Sequence, residues 1–204
     1  MPAIDLRGIM IGKLEDNAYD EPMSIGDAMN SNLQLRFAEG RLFAESSLAE
    51  YIKKCTGGSI SIGVKYIPVP AQKLMYGAKD KARNVGDKRV TGLLISGKDV
   101  GHYVGVSMYA PDMIDGEEMY TCIFVHKAMF GHPGYNFQTM GENIVFQTPT
   151  TTGEFLARTK EGKELLEVAI CETEEDAIAW CRAVFAADAS VASNTPTANV
   201  SNPD

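Results

Sequence analysis

The residues able to do chemistry are few and do not converge on a motif. Of the three histidines, His126 and His132 lie close together around the run MFGHPG. His126 alternates with apolar residues of a strand pattern and His132 precedes Pro133 in a turn, so both read as structural groups, not as metal ligands or acid–base catalysts. His102 follows Gly101 at a strand start and has no companion ligand within motif distance. Glu117 and Glu118 sit with Asp115 and Gly116 in a polar turn, and Glu172, Glu174, Glu175 and Asp176 open a helix, where negative charge is favoured. Gly57 and Gly58 lead into a strand and not into a helix N-terminus, so they lack the oriented amides of a phosphate cradle and read as a turn. The sequence contains no GxSxG, P-loop or HExxH. Cys55, Cys122, Cys171 and Cys181 match no zinc or disulfide spacing and read as reduced, mostly buried thiols. No catalytic, cofactor-binding or metal residue is assigned, and no cofactor is expected.

Bulk properties set further bounds. A chain of 204 residues with 45% hydrophobic and 23% charged residues fits one folded domain with some excess at the ends. A net charge of −8 opposes attraction to phosphate backbones and anionic lipid. No apolar run reaches the roughly 18 residues of a membrane helix, and the N-terminus lacks a secretory pattern, so folding in a cytoplasm and no membrane partner are expected.

The elements that must position these residues are mostly short strands punctuated by Gly, Pro, Asn and Asp. In residues 31–37 Asn32, Gln34 and Arg36 alternate with Leu33, Leu35 and Phe37; in 59–66 Ser59, Ser61 and Lys65 alternate with Ile60, Ile62, Val64 and Tyr66. Further strands are expected over 4–12, 91–96, 102–109, 119–129, 143–147, 153–159 and 165–171, enough for two sheets. A first helix is expected in AQKLMYGAKDKAR after Pro68 and Pro70, despite Gly77. A second follows Thr173, whose hydroxyl caps TEEDAIAWCRAVF, with Ala177, Trp180, Cys181 and Val184 on one face. The class is therefore mainly β, an antiparallel β-sandwich or barrel with one or two short α-helices.

Residues 120–158 read YTCIFVHKAMFGHPGYNFQTMGENIVFQTPTTTGEFLAR. This stretch resembles the major tail tube proteins of long, non-contractile-tailed phages of Gram-positive bacteria. The likeness is an ordered series: Tyr120, an apolar strand, Lys127 and Phe130, Thr-x-Gly at Thr139 to Gly141, Gln147-Thr148-Pro149, and Thr-x-x-Gly-x-Phe-x-x-Arg from Thr150 to Arg158. LFAESSLAEY at 42–51 and GGSISIGVKYIPVPAQKLMYG resemble upstream segments of the same family in register. The resemblance covers about residues 4–185. It implies a fold shared in outline with the tube protein of type VI secretion, in which six-membered rings stack head to tail into a hollow conduit for genome delivery. The partners implied are the chain itself, the tape measure protein, the tail terminator and distal tail proteins. Double-stranded DNA would pass through without sequence-specific binding, and the location would be the virion tail, assembled in the host cytoplasm.

On this reading Lys127, Phe130, Thr139, Gln147, Thr148, Pro149 and Thr150 are expected at subunit contacts. A loop carrying Glu39, Arg41, Phe43, Leu48, Glu50, Lys53 and Lys54 is expected to stack ring on ring, and Ser59 and Ser61 to line the lumen. The competing reading is a monomeric β-sandwich that binds a small ligand or carbohydrate. Residues 1–187 form the expected tube domain and 188–204, nearly devoid of large apolar residues, a flexible C-terminal tail or linker. Truncation after Ala187 is expected to leave self-association unchanged in sedimentation, because such a segment gains too little on ordering to offset its chain entropy.

Overall fold

A computed structural model of the chain describes residues 5–44, 47–114, 116–135, 137, 139, 148–159 and 162–186. The strand expected at 143–147 and the expected tail at 188–204 lie outside the described residues. The remainder is mainly β and antiparallel, with two short helices, as the alternation predicts.

In chain order the elements are β1 (Arg7–Glu15), β2 (Ala18–Tyr19), β3 (Met23–Ser24), β4 (Ala28–Ala44), β5 (Ser47–Val64), α1 (Val69–Tyr76), β6 (Lys79–Val85), β7 (Lys88–Leu94), β8 (Val104–Ile114), β9 (Glu117–Phe130), β10 (Thr150–Phe155), β11 (Leu166–Cys171) and α2 (Glu174–Ala183). Nine strands join in one sheet, in the order β2-β1-β8-β9-β10-β5-β4, with β3 on β1 and β11 on β9. The expectation of two sheets is met differently: β6 and β7 form a separate two-stranded sheet, while the large sheet curls so that one face encloses the core.

That core follows from period-two alternation. Ile9 and Ile11 of β1, Ile60, Ile62 and Val64 of β5, Val104 and Val106 of β8, and Phe155 of β10 are all buried on the enclosed side. Helix α1 adds Ala71, Met75 and Tyr76 to the same cluster. Helix α2 packs on the other face of β8, β9 and β11, where Ala177 and Cys181 meet Tyr109 and Cys122.

Local sequence explains both helix ends. Asp176 N–H donates to Thr173 Oγ1 at 3.1 Å, the expected N-cap, and three acidic residues occupy the first turn. Glu174 in that turn also accepts from Arg7 at 2.8 Å and from the Tyr109 hydroxyl at 3.0 Å, tying α2 to β1 and β8. Helix α1 stops at Gly77, whose φ of 70° is the left-handed conformation of a C-cap. A Cβ there would lie 2.5 Å from the Val100 carbonyl oxygen. The helix expected to run on through AKDKAR is thus corrected: from Lys79 on these residues belong to β6, paired with β7 through a two-residue Gly86–Asp87 turn.

The reading of Gly57–Gly58 as a turn is also corrected. Both lie inside β5, beside a bulge that sets Arg36 opposite Gly57 and Phe37 opposite Cys55. A Cβ on Gly58 would come 2.1 Å from the Gln34 carbonyl oxygen and 2.4 Å from the Phe155 ring. Thr173→Ala is expected to cost about 1 kcal/mol in urea unfolding. Gly58→Ala, which must displace backbone, is expected to lower the midpoint further.

Candidate assembly interface

Beyond the bulge, β4 and β5 leave the sheet. β10 pairs with β5 only from Gly58 to Gly63, so Phe37–Ala44 and the facing part of β5 form a two-stranded arm with no third strand among the described residues. The stacking residues expected in a loop are here: Glu39, Arg41, Phe43, Leu48, Glu50, Lys53 and Lys54 belong to continuous strands, with Leu48 opposite Phe43. The strand pattern was masked because charge and apolar residues mix on both faces. On one face Phe37, Glu39 and Arg41 meet Tyr51 and Lys53. Lys53 lies over the Phe37 ring at 4.7 Å, Arg41 over Tyr51 at 5.6 Å, and Glu39 pairs with Lys53 at 3.1 Å. The Lys53 hydrogen bond, followed by that from Tyr51, holds the Glu39 carboxyl below its usual range. The other face sets Ala38, Gly40 and Leu42 against Lys54, Ile52 and Glu50. Leu42 and Ile52 are each 56% exposed and Phe43 63%.

Ser59 and Ser61 are half-exposed on the sheet face opposite Ile60 and Ile62. Cross-strand pairing sets them beside Gln34 and Asn32 on one side and Glu154 and Thr152 on the other. The result is a polar face on which Arg36 pairs with Glu154 and Lys65, two residues on from Gly63, pairs with Asp27.

The third set of expected residues is divided. Lys127 is half-buried, with Nζ 4.4 Å from the centre of the Tyr103 ring. Phe130, expected at a subunit contact, is 4% exposed and packs in the main core, so it is corrected to a core residue. Thr139 is exposed, and Gln147 lies outside the described residues. Thr148, Pro149 and Thr150 line an open groove of about 420 Å³ with Tyr66, Tyr135 and Phe137, whose last two rings stack at 6.0 Å.

No protein-family model matches the chain, and no curated protein matches it.

Two features escaped sequence reasoning. One is the β6–β7 hairpin, whose signal was the Gly86–Asp87 turn between runs of alternating charge. The other is a buried polar cluster around His126, which is 2% exposed. Tyr19 donates to the His126 carbonyl oxygen at 2.8 Å and sits 3.3 Å from Nδ1. Glu167 Oε1 lies 3.0 Å from Nε2, off the line a hydrogen bond needs. Arg158 covers the Tyr19 ring at 5.3 Å, pairs with Glu164 at 3.3 Å and donates to the Asn17 carbonyl oxygen at 2.6 Å. All four cysteines are free; burial pushes the Cys181 thiol up to about 11 and raises Cys122 as well, so both stay protonated at neutral pH.

Burial lowers the His126 pKa from 6.5, outweighing the pull of Glu167 and Glu164, while Arg158 acts with burial. A base with a depressed native pKa takes up more protons when unfolded. Its stabilising effect is therefore complete above pH 6.5 and declines as the pH falls through the native pKa. Urea unfolding from pH 7.5 down to 5 is expected to show this decline, and His126→Gln is expected to flatten it.

Proposed function

We propose that the chain is the structural subunit of a phage tail tube, assembling with copies of itself into stacked, six-membered rings around a conduit for DNA, and that it is not an enzyme. The observation that carries this reading is the β4–β5 arm. A two-stranded ribbon is marginal in water, and this one holds Leu42, Phe43 and Ile52 in solvent on strands that no other part of the described chain covers. A neighbouring copy would cover them. The ordered series between Tyr120 and Arg158 supplies the identity of the assembly, and the arm contains the segment 42–51 that belongs to the same likeness.

Two further features support the reading. β4 is hydrogen-bonded on one side only, and β11 likewise, among the described residues. Unpaired edges invite association with another chain unless they are protected. The face bearing Ser59 and Ser61 suits a conduit wall: it is polar, and its cations Arg36 and Lys65 pair with Glu154 and Asp27. A wall rich in unpaired Lys or Arg would release counterions and retain duplex DNA.

Electron microscopy of the concentrated purified protein tests the reading, with tubes of uniform width as the expected result. The double variant Leu42→Asp, Ile52→Asp, at positions already in solvent, is expected to keep the circular dichroism and melting behaviour of the parent. It is expected to form no tubes. Tubes of normal length from this variant would remove the arm from the assembly, and a chain that stays monomeric at millimolar concentration would overturn the tube reading.

A further inference from the structure

A cleft of about 560 Å³ opens between β4 and the pair β8–β9 and holds two polar atoms without partners. Its walls include Leu6, Met29, Leu33, Met108 and Ile123, with Asp112 and Ser31 set among them. Asp112 is 1% exposed. One of its oxygens accepts a long 3.3 Å hydrogen bond from Thr121, whereas Oδ1 has no hydrogen-bond partner, and Ser31 Oγ has none either, among the described residues. Asp112 forms no salt bridge among them. Buried polar groups are ordinarily satisfied, and an unpaired buried carboxylate is the costliest kind to leave so. The face continues as exposed apolar surface: on β11, Val168 opposite Ile123 and Ile170 opposite Thr121 are 59% and 53% exposed.

The complementary surface is on the same chain. In an acidic protein, the segment Lys79–Leu94 holds five cations and two carboxylates. It forms the detached β6–β7 hairpin, which no third strand joins among the described residues. Cross-strand pairing places Lys79 opposite Leu94, Lys81 opposite Gly92, Arg83 opposite Val90 and Val85 opposite Lys88. One face of the ribbon thus carries a basic row on β6 beside an aliphatic row on β7. Lys79 pairs with Asp99 at 2.9 Å, but Lys81, Arg83 and Lys88 have no ion-pair partner among the described residues. Gly92 leaves a dent between Val90 and Leu94, where an added Cβ would meet only the Lys81 carbonyl oxygen, at 3.9 Å.

We propose that the β6–β7 hairpin of a second copy packs on the β4–β8–β9–β11 face, its aliphatic row on Val168 and Ile170 and Arg83 entering the cleft to pair with Asp112 and Ser31. The guanidinium is planar and offers several donors, which suits a carboxylate with a hydroxyl beside it. The desolvation of Asp112 is incurred already in the folded monomer, so an arriving cation gains attraction without adding that part of the cost. The two surfaces differ, so the contact is heterologous. Repetition then closes a ring or grows a filament; it does not stop at a dimer. The inference rests on the self-association proposed above but not on DNA conduction.

A mutant cycle on Arg83→Ala and Asp112→Asn tests it, with self-association followed by analytical ultracentrifugation and thermal stability followed on the dilute monomer. Each single change is expected to raise the concentration needed for assembly about tenfold or more, and the double variant to be no worse than either single. Asp112→Asn removes a buried unpaired charge, so the monomer is expected to melt no lower than the parent. Merely structural roles for the two residues would give additive losses, with a destabilised monomer. Normal tubes from both single variants would overturn this contact and leave the tube reading standing, whereas a parent chain that never associates would overturn both. Salt-sensitive retention of duplex DNA that Arg83→Ala abolishes, with assembly unchanged, would make the hairpin a phosphate-binding element and also overturn the contact.

Discussion

The architecture turns on one extra residue in β9. Val125 stands opposite Val106 and Ala128 opposite Val104, so three steps along β9 match two along β8, and His126 and Lys127 share the space facing Gly105. A side chain at Gly105 would come 2.7 Å from Tyr19 and 2.9 Å from Phe124, which is why the bulge can close on glycine. Before the bulge, Ile123 and Val125 face the core and Cys122 and Phe124 face away from it; after it, Ala128 and Phe130 face the core again. The bulge also divides the far edge of β9, which pairs with β11 over 120–125 and with β10 over 128–130. One strand thereby joins the part of the sheet that carries α2 to the part that carries the arm.

Function on the proposed reading depends on what that division leaves uncovered. The β10 side gives β5 a partner only as far as Gly58, and everything past Gly57 must find its packing elsewhere. The β11 side is short and exposes Val168 and Ile170. The helices do not help: α1 fills the enclosed core and α2 the opposite face of β8, β9 and β11. The solvent-facing apolar residues are thus concentrated on ribbons and edges, where another chain can add backbone hydrogen bonds as well as apolar contact.

The polar interior cluster around His126 belongs to the same design. His126 packs beside Phe124 on the side turned away from the main core, and Tyr19, Arg158, Glu164 and Glu167 come from three other segments to surround it. These groups tie the β1–β2 turn, through the Asn17 carbonyl, to the connection between β10 and β11. Such a network fixes the relative position of strands that share no ladder.

What the sequence by itself determined was the local part. Alternation in Ile60, Ile62 and Val64 marked a half-buried strand, Thr173 with three acids marked a helix start, and the scarcity of motif chemistry turned attention from catalysis to surfaces. These are properties of neighbours in the chain, written in side-chain period and backbone preference. Only the tertiary structure decided which strands continue past their last partner. Leu42 and Ile52 stand in solvent because β10 ends at Phe155 while β4 and β5 run on, which nothing local in the sequence tells. Phe130 looks like a contact residue but lies in the core because the bulge at His126–Lys127 reverses the alternation ahead of it. The setting of Asp112 among Met29, Leu33 and Ile123 arises only when β4 folds over β8, a pairing of surfaces some eighty residues apart in the chain.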